Sequence, residues 1–363
     1  MSLHETIRKS FYAGRRPLWA SVLLIPASWC YGLAVCVRNW LYDLGLLRVR
    51  RLPCKVVCVG SVTVGGSGKT AIAAMIGRTL ADRGVKTAIV SRGYRSKGEA
   101  GAIASDGSGP LAGPEEIGDE PYMLARNLPG VPVIVGADRH SAGMLAVERF
   151  GSQVIVLDDG FQHRRLARDL DIVVLNAGAG LGNGRLLPAG PLREQASGLA
   201  RAKGMVIMGR SEALQMQDLR SLAARFSIPA IQAEYQPVKL VGLSDGRIVD
   251  LESLRSKRVL VFSGLGLPEQ FENDVSGLGV GSMQSERFPD HHQYIRADID
   301  RLSGLASTGR FEYIVTTQKD AVKIDPKWIP GSGAFFYLET TILLSSEDQR
   351  TLEDLMARSL GLG

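Results

Sequence analysis

The residues best placed to do chemistry are Lys69 and Thr70, which close the run Gly65-Gly66-Ser67-Gly68-Lys69-Thr70. A lysine ammonium can reach phosphate oxygens, and a threonine hydroxyl beside it can ligate a divalent cation. The run is preceded by a short β-branched stretch, Val56–Val59, and followed by a helical pattern from Ala71 to Leu80. That order aims a glycine-rich turn from a strand end, lets backbone N–H groups close round a phosphate, and adds the partial positive charge of a helix N-terminus. Thr63, Val64, Gly65, Gly66, Ser67, Gly68, Lys69 and Thr70 are therefore the candidate nucleotide-phosphate loop. The match to G-x-x-x-x-G-K-[ST] departs at its first position, where the chain has Thr63.

Three further groups carry chemistry. Val154–Leu157 runs into Asp158-Asp159. An apolar strand ending in aspartate downstream of such a loop reads as the source of a carboxylate for Mg²⁺. Neighbouring side chains at a strand end diverge, so one aspartate can hold metal while the other faces the transferring phosphate; which does which is open. Asp119 opens a helical pattern after a long Gly/Pro/Ser-rich loop, Arg95 to Ile117, and is either an N-cap or a catalytic carboxylate. Arg185 and Arg193 lie in the glycine-rich stretch Gly180–Glu194, a frame suited to gripping an anionic substrate or a developing charge. His163, His291 and His292 have no ligands spaced around them for a zinc site.

The elements that must position these groups follow from periodicity. From Lys55 to about Phe226, apolar strands at 56–59, 87–90, 133–135, 154–157, 172–175 and 205–208 alternate with helical patterns beginning near Lys69, Pro121, Ser141 and Ser211. This is βαβ order, with strands apolar throughout as a parallel sheet covered on both faces requires. Ligands in such sheets bind beyond the carboxyl ends of the strands, where the candidate residues fall. A second α/β unit follows, with strands at 259–262 and 313–317 and helices from Pro268 and about Ile295. The fold class is α/β: a P-loop NTPase-like parallel core and a smaller second α/β domain. The boundaries are an N-terminal apolar and basic segment at 1–50, the core at 51–228, the smaller domain at 229–345 and a C-terminal helix at 346–363.

At 363 residues, with 45% hydrophobic and 22% charged residues, the chain is a folded protein of two ordinary domains. A net charge of +6 fits nucleic acid, an anionic membrane or an anionic substrate. Nucleic acid is the weakest of these, because aromatics are only 6% and none interleave with Lys/Arg as a base-stacking surface would. Cys30, Cys36, Cys54 and Cys58 read as buried thiols in a reducing compartment. Pro17 to Val37 carries no charged residue and is flanked by Arg8, Lys9, Arg15, Arg16 and by Arg38, Arg48, Arg50, Arg51, with Trp19, Trp29, Tyr31 and Trp40 alongside. The expectation is a membrane-associated helix, spanning or lying among headgroups.

With these motifs assembled, the chain resembles the tetraacyldisaccharide 4′-kinases of Gram-negative bacteria. The resemblance is carried by Gly60–Thr70, Ser91-Arg92-Gly93-Tyr94, Gly118-Asp119-Glu120-Pro121, Asp158–Arg164, Gly182-Asn183-Gly184 with Leu187–Glu194, Asp290-His291 and Thr317-Gln318-Lys319-Asp320-Ala321-Val322-Lys323. It implies a kinase at the cytoplasmic face of the inner membrane that uses ATP and Mg²⁺ to phosphorylate the 4′-hydroxyl of a tetraacyl disaccharide 1-phosphate, with no obligate protein partner. It also implies a two-stranded linker between domains that close on ATP. Thr63 to Thr70 would take the phosphates, with Thr70 and one of Asp158 and Asp159 on Mg²⁺. Asp119 would be the general base with His291 as its dyad partner, and Arg193 would steady the transferring phosphate. Ser61, Ala71 and Leu267 depart from the family's usual Asn, Pro and Asn, and none removes a group the chemistry needs. The competing class is a membrane-partitioning or switch ATPase, which usually has Lys before the paired glycines, where this chain has Val64. A kinase of a soluble substrate would have no use for the N-terminal apolar stretch, and a metal-chaperone GTPase would need Cys/His ligands that the sequence lacks.

Overall fold

A computed structural model describes residues 18–93, 101–290, 292–330 and 334–361, with side chains from residue 24 onward. The described residues begin with a long helix, α1 (Leu18–Asp43). The first half then runs β1 (Lys55–Gly60), α2 (Lys69–Asp82), β2 (Thr87–Ser91), β3 (Ala102–Ser105), a short α3 (Pro114–Ile117), α4 (Asp119–Asn127), β4 (Val133–Val135), α5 (Arg139–Phe150), β5 (Val154–Asp158), β6 (Leu170–Asn176), β7 (Gly204–Met208) and α6 (Ala213–Arg225). The second half comprises β8 (Ala230–Gly242), β9 (Ile248–Val249), β10 (Arg258–Ser263), α7 (Pro268–Ser276), β11 (Ser282–Arg287), α8 (Arg296–Gly309), β12 (Tyr313–Thr317), a one-turn α9 (Gln318–Ala321), β13 (Phe335–Leu344) and α10 (Ser346–Leu360).

The strands form one sheet in the order β11-β10-β12-β13-β8-β7-β6-β1-β5-β2-β4-β3, with β9 added to β8. Each β1, β2, β5 and β7 core residue that reads as apolar is buried, because helices cover both faces. Several strands have no counterpart among the apolar runs read from the sequence, β3, β9, β11 and β13 among them. β3 lies inside the stretch 95–117 read as a loop, pairing antiparallel with β4 as an edge strand. β11 alternates polar and half-buried residues at the other edge, so it lacks the apolar run of a central strand.

Pairing is parallel throughout both halves except at β3–β4, β8–β9 and the junction β8–β13. The junction decides where the site is. β7 pairs with the start of β8, Ala230–Ala233, whereas β12 pairs with the start of β13, Phe335–Leu338. Since Leu338 lies opposite Leu240 and Leu344 opposite Ala233, the two half-sheets hang on opposite ends of the ladder. Their carboxyl ends therefore face each other across its middle. α10 returns to the first half: Leu352, Met356 and Leu360 pack in the same core as Ile72, Ile172, Val174 and Val206.

α1 carries Trp29, Leu33, Val37 and Trp40 exposed, and the exposed face continues into Leu44. Cys30 and Cys36 are exposed on this helix, a correction to their reading as buried thiols; Cys58 is buried in β1. Apolar sequence alone does not bury a residue whose helix face has no protein packed on it. Among the described residues no helix is long and apolar enough to cross a membrane.

Candidate active site

The glycine-rich turn leaves β1 and enters α2 through Gly68, which is left-handed at φ 86° and caps the helix. A side chain there would also collide with Met208 and crowd the Tyr235 hydroxyl. The turn is braced from one side: the Val64 N–H donates to Pro191 O at 2.8 Å and the Arg193 N–H to Val62 O at 2.8 Å. Thr63 is buried, and its N–H and hydroxyl both meet the Ser61 hydroxyl, at 3.1 and 3.0 Å. A hydroxyl pair thus stabilises the turn where the general motif has glycine. Lys69 Nζ donates to Gly65 O and Ser67 Oγ at 3.3 Å and lies 3.8 Å from Asp159 Oδ1.

The two aspartates part company at the end of β5. Asp158 is the last strand residue, 1% exposed, and accepts from the Thr70 hydroxyl at 3.2 and 3.3 Å. Asp159 turns into the left-handed region at φ 53°, which swings its carboxylate to a different set of partners. Arg193 Nη1 donates to both of its oxygens at 2.8 and 2.9 Å. Burial lifts the Asp158 carboxyl to about 7, with Glu120 and Asp159 adding to the rise and Lys69 and the Thr70 hydroxyl opposing it. Burial would lift Asp159 too, but Lys69 and Arg193 outweigh it and hold that carboxyl below the usual range. A buried carboxylate short of cations, with a hydroxyl at hydrogen-bond distance, is a donor set that fits Mg²⁺. Such ions take one or two carboxylates from the protein and the rest of their ligands from substrate and water.

Arg193 is held from behind by α1. The Tyr31 hydroxyl donates to Arg193 O at 2.8 Å, the Ser28 hydroxyl to Leu186 O at 2.9 Å, and Asn39 Nδ2 to Glu194 Oε2 at 3.3 Å. Glu194 is 1% exposed and also accepts from Arg201 at 2.7 Å and Gln162 at 2.9 Å. Gly32 permits this approach, since a Cβ there would lie 2.7 Å from Leu186 Cδ1. Between α1 and the 181–196 segment lies an apolar cleft of about 620 Å³, lined by Trp29, Leu33, Cys36, Leu181, Leu186 and Leu192 among others. Arg185 is exposed, and its N–H bonds Asn183 within the turn.

Asp119 is the first residue of α4; the cap is Gly118, with no side-chain capping bond, which corrects the N-cap reading. Its carboxylate therefore sits at the positive end of the helix. Across the junction Lys323 Nζ is 3.9 Å from Asp119 Oδ2, and Lys319 Nζ is 3.8 Å from Glu120 Oε1. Gln318 Nε2 donates to Asn127 Oδ1 at 2.9 Å, so the segment after β12 touches both ends of α4. His291 and Tyr94 lie outside the described residues. His292 bonds Asp298 Oδ2 at 2.9 Å and packs on Phe288 and Tyr294, a structural setting. The structure thus brings Lys69, Thr70, Asp158, Asp159 and Arg193 together and sets Asp119 against the second half. The sequence marks Gln318–Lys323 without giving those residues a task; their signal is a lysine pair four residues apart around an aspartate just past a strand end.

A family model described as tetraacyldisaccharide-1-P 4′-kinase matches residues 20–360. A tetraacyldisaccharide 4′-kinase of Syntrophus aciditrophicus is 42% identical over 317 residues, covering 84% of this chain and 85% of that protein. One from Desulfatibacillum aliphaticivorans is 35% identical over 365 residues, covering 99% and 98%. The crystal structure described as the "apo" form of LpxK from Aquifex aeolicus in complex with ATP superposes with a TM-score of 0.73 at 34% identity, covering 94% of this chain and all of that one. With a phosphate loop, an aspartate fitted for a metal and an arginine-bearing loop at the strand ends, and with likeness along nearly its whole length, the chain belongs to the tetraacyldisaccharide 4′-kinase family.

Proposed function

We propose that the protein transfers the γ-phosphate of ATP to the 4′-hydroxyl of a tetraacyl disaccharide 1-phosphate, the lipid A 4′-kinase reaction. The observation that carries the reading is the cluster at the ends of β1 and β5, where Thr70 meets Asp158 while Lys69 and Arg193 converge on Asp159, in a chain of this family. Backbone N–H groups of 63–70 and the Lys69 ammonium bind the nucleotide phosphates. Thr70 and Asp158 would hold Mg²⁺, which when bound offsets the negative charge of the β- and γ-phosphates. Lys69 and Arg193, now shared with Asp159, orient and stabilise the moving phosphoryl group. Asp119 accepts the proton of the attacking hydroxyl, with His291 as its partner. We read the core at 51–228 and the smaller unit at 229–345 as joined where β7 pairs with β8, with the β8–β13 ladder as the linker between the two half-sheets.

Labelled phosphate from ATP should enter tetraacyldisaccharide 1-phosphate in detergent. ATP hydrolysis without label in the lipid would overturn the kinase reading in favour of a membrane-associated P-loop ATPase.

We read α1 as lying at the cytoplasmic face of the inner membrane, with the acyl chains of the substrate entering the cleft beside Arg193. The exposed apolar row on α1 supports this. By helical spacing Val37, Trp40 and Leu44 fall within about 60° of one another around the axis, and they take no part in the cleft. If each contributes about 1 kcal/mol of interfacial burial, replacing all three with serine weakens membrane partition by about 10²-fold. The variant should leave the membrane pellet and retain transfer in detergent; unchanged sedimentation would place the attachment on another surface.

A further inference from the structure

The segment after β12 carries a buried ion pair that the transfer chemistry above does not use. Asp320 is completely buried and Lys323 nearly so, with Nζ 3.1 Å from Asp320 Oδ1. Asp320 is immobilised by further bonds: its Oδ2 accepts from Gly264 N at 3.1 Å and from the Thr317 hydroxyl at 2.8 Å. Thr317 in turn caps the turn, accepting from Asp320 N at 3.1 Å. Lys323 therefore projects from a rigid mount in the second half of the molecule, and the group it projects toward is Asp119 of the first half, at 3.9 Å.

Burying a lysine and an aspartate together is costly, and such a pair does not by itself explain its own retention as a stabilising device. A three-donor ammonium with one donor on Asp320 has another to offer. Its reach across the junction gives the pair a task that depends on both halves being in place.

We propose that Lys323 is a positioning residue for phosphoryl transfer: clamped by Asp320, it holds the Asp119 carboxylate oriented and ionised to receive the proton of the acceptor hydroxyl. This rests on the reading of Asp119 as the base. Among the described residues Lys323 Nζ pairs with Asp119 and Asp320 and makes no hydrogen bond or ion pair with residues 63–70 or with Asp158, so its loss acts on turnover and spares ATP binding. Lys319, against Glu120, makes the parallel contact from the same turn at a more exposed position.

The test is a double-mutant cycle in the full chain, read by single-turnover transfer of labelled phosphate to the lipid substrate. Lys323→Met should lower the transfer rate by about 10-fold to 10²-fold with the KM for ATP unchanged, the range for a lost aid to general base catalysis. Lys323→Arg should recover much of the rate, because it restores the cation. In an Asp119→Ala background, Lys323→Met should cost nothing further. Because Lys323→Met alone strands a buried aspartate, Lys323→Met/Asp320→Asn removes both charges at similar volume and must show the same loss while unfolding at a temperature near that of the parent. Full additivity with Asp119→Ala, or a parental rate in the double variant, overturns the proposal while leaving the base intact. A parental rate in Asp119→Ala itself overturns the base reading instead.

Discussion

Asp119→Ala should lower kcat by about 10²-fold or more, with the KM for ATP close to that of the parent. A loss of that size corresponds to about 2.7 kcal/mol of barrier, the amount expected when a hydroxyl nucleophile loses the group that takes its proton. The separation between kcat and KM follows from position. Asp119 begins α4 and faces Lys323 from the second half, whereas the phosphate loop is braced by Pro191 and Arg193 from the other side. Steady-state kinetics with ATP varied at saturating lipid decide the matter. An unaltered kcat would leave the carboxylate as a favourable charge in the first turn of a helix, worth about 0.3–1 kcal/mol of stability.

Asp158→Asn should abolish most turnover, by more than about 10²-fold, and yet make the metal-free protein more stable at pH 8. Asp158 is lifted to about 7 by burial in the folded state, above the usual carboxylate value. The folded state therefore holds this proton more tightly than the unfolded chain does. The stability it contributes is present at low pH and is lost as pH rises through about 7. Asparagine removes that penalty. Asp159 has the opposite sign: its depressed carboxyl stabilises the fold above the unfolded value, and the contribution is lost on acidification. Asp159→Asn should destabilise at neutral pH, since Lys69 and Arg193 then face each other without their shared counter-ion. Thermal unfolding of the two variants at pH 5 and pH 8 in chelator, then with Mg²⁺ added, separates them. Stabilisation by Mg²⁺ should vanish in Asp158→Asn and persist in Asp159→Asn. The reverse pattern would assign the metal to Asp159.

The two aspartates also mark how far local sequence reaches. Their adjacency after an apolar strand is enough to put a pair of carboxylates beside the glycine-rich loop. Which partners each takes depends on a single backbone torsion, the left-handed turn at Asp159, and on the arrival of Thr70 and Arg193 from elsewhere in the chain. Strands β1, β2, β4, β5, β6 and β7 are legible because residues buried on both faces leave an unbroken apolar run. β3 and β11 are not, because edge strands bury too little to show one. The exposure of Cys30 and Cys36 is likewise invisible to composition, which records that a helix is apolar and says nothing of what covers it.

Sequence alone marked the glycine-rich turn between β1 and α2, the order of the central strands and helices in the core, and a set of charged groups at the strand ends. Each of these depends on residues within a few positions of one another, so short-range periodicity and spacing suffice. Tertiary structure alone decided that α1 grips the Arg193 loop through Tyr31 and Ser28, and that the offset ladder of β8 and β13 turns two half-sheets toward one site. It also decided that Lys323 meets Asp119. Those contacts join residues far apart along the chain, and their distances are set by how the halves pack rather than by any pattern within either.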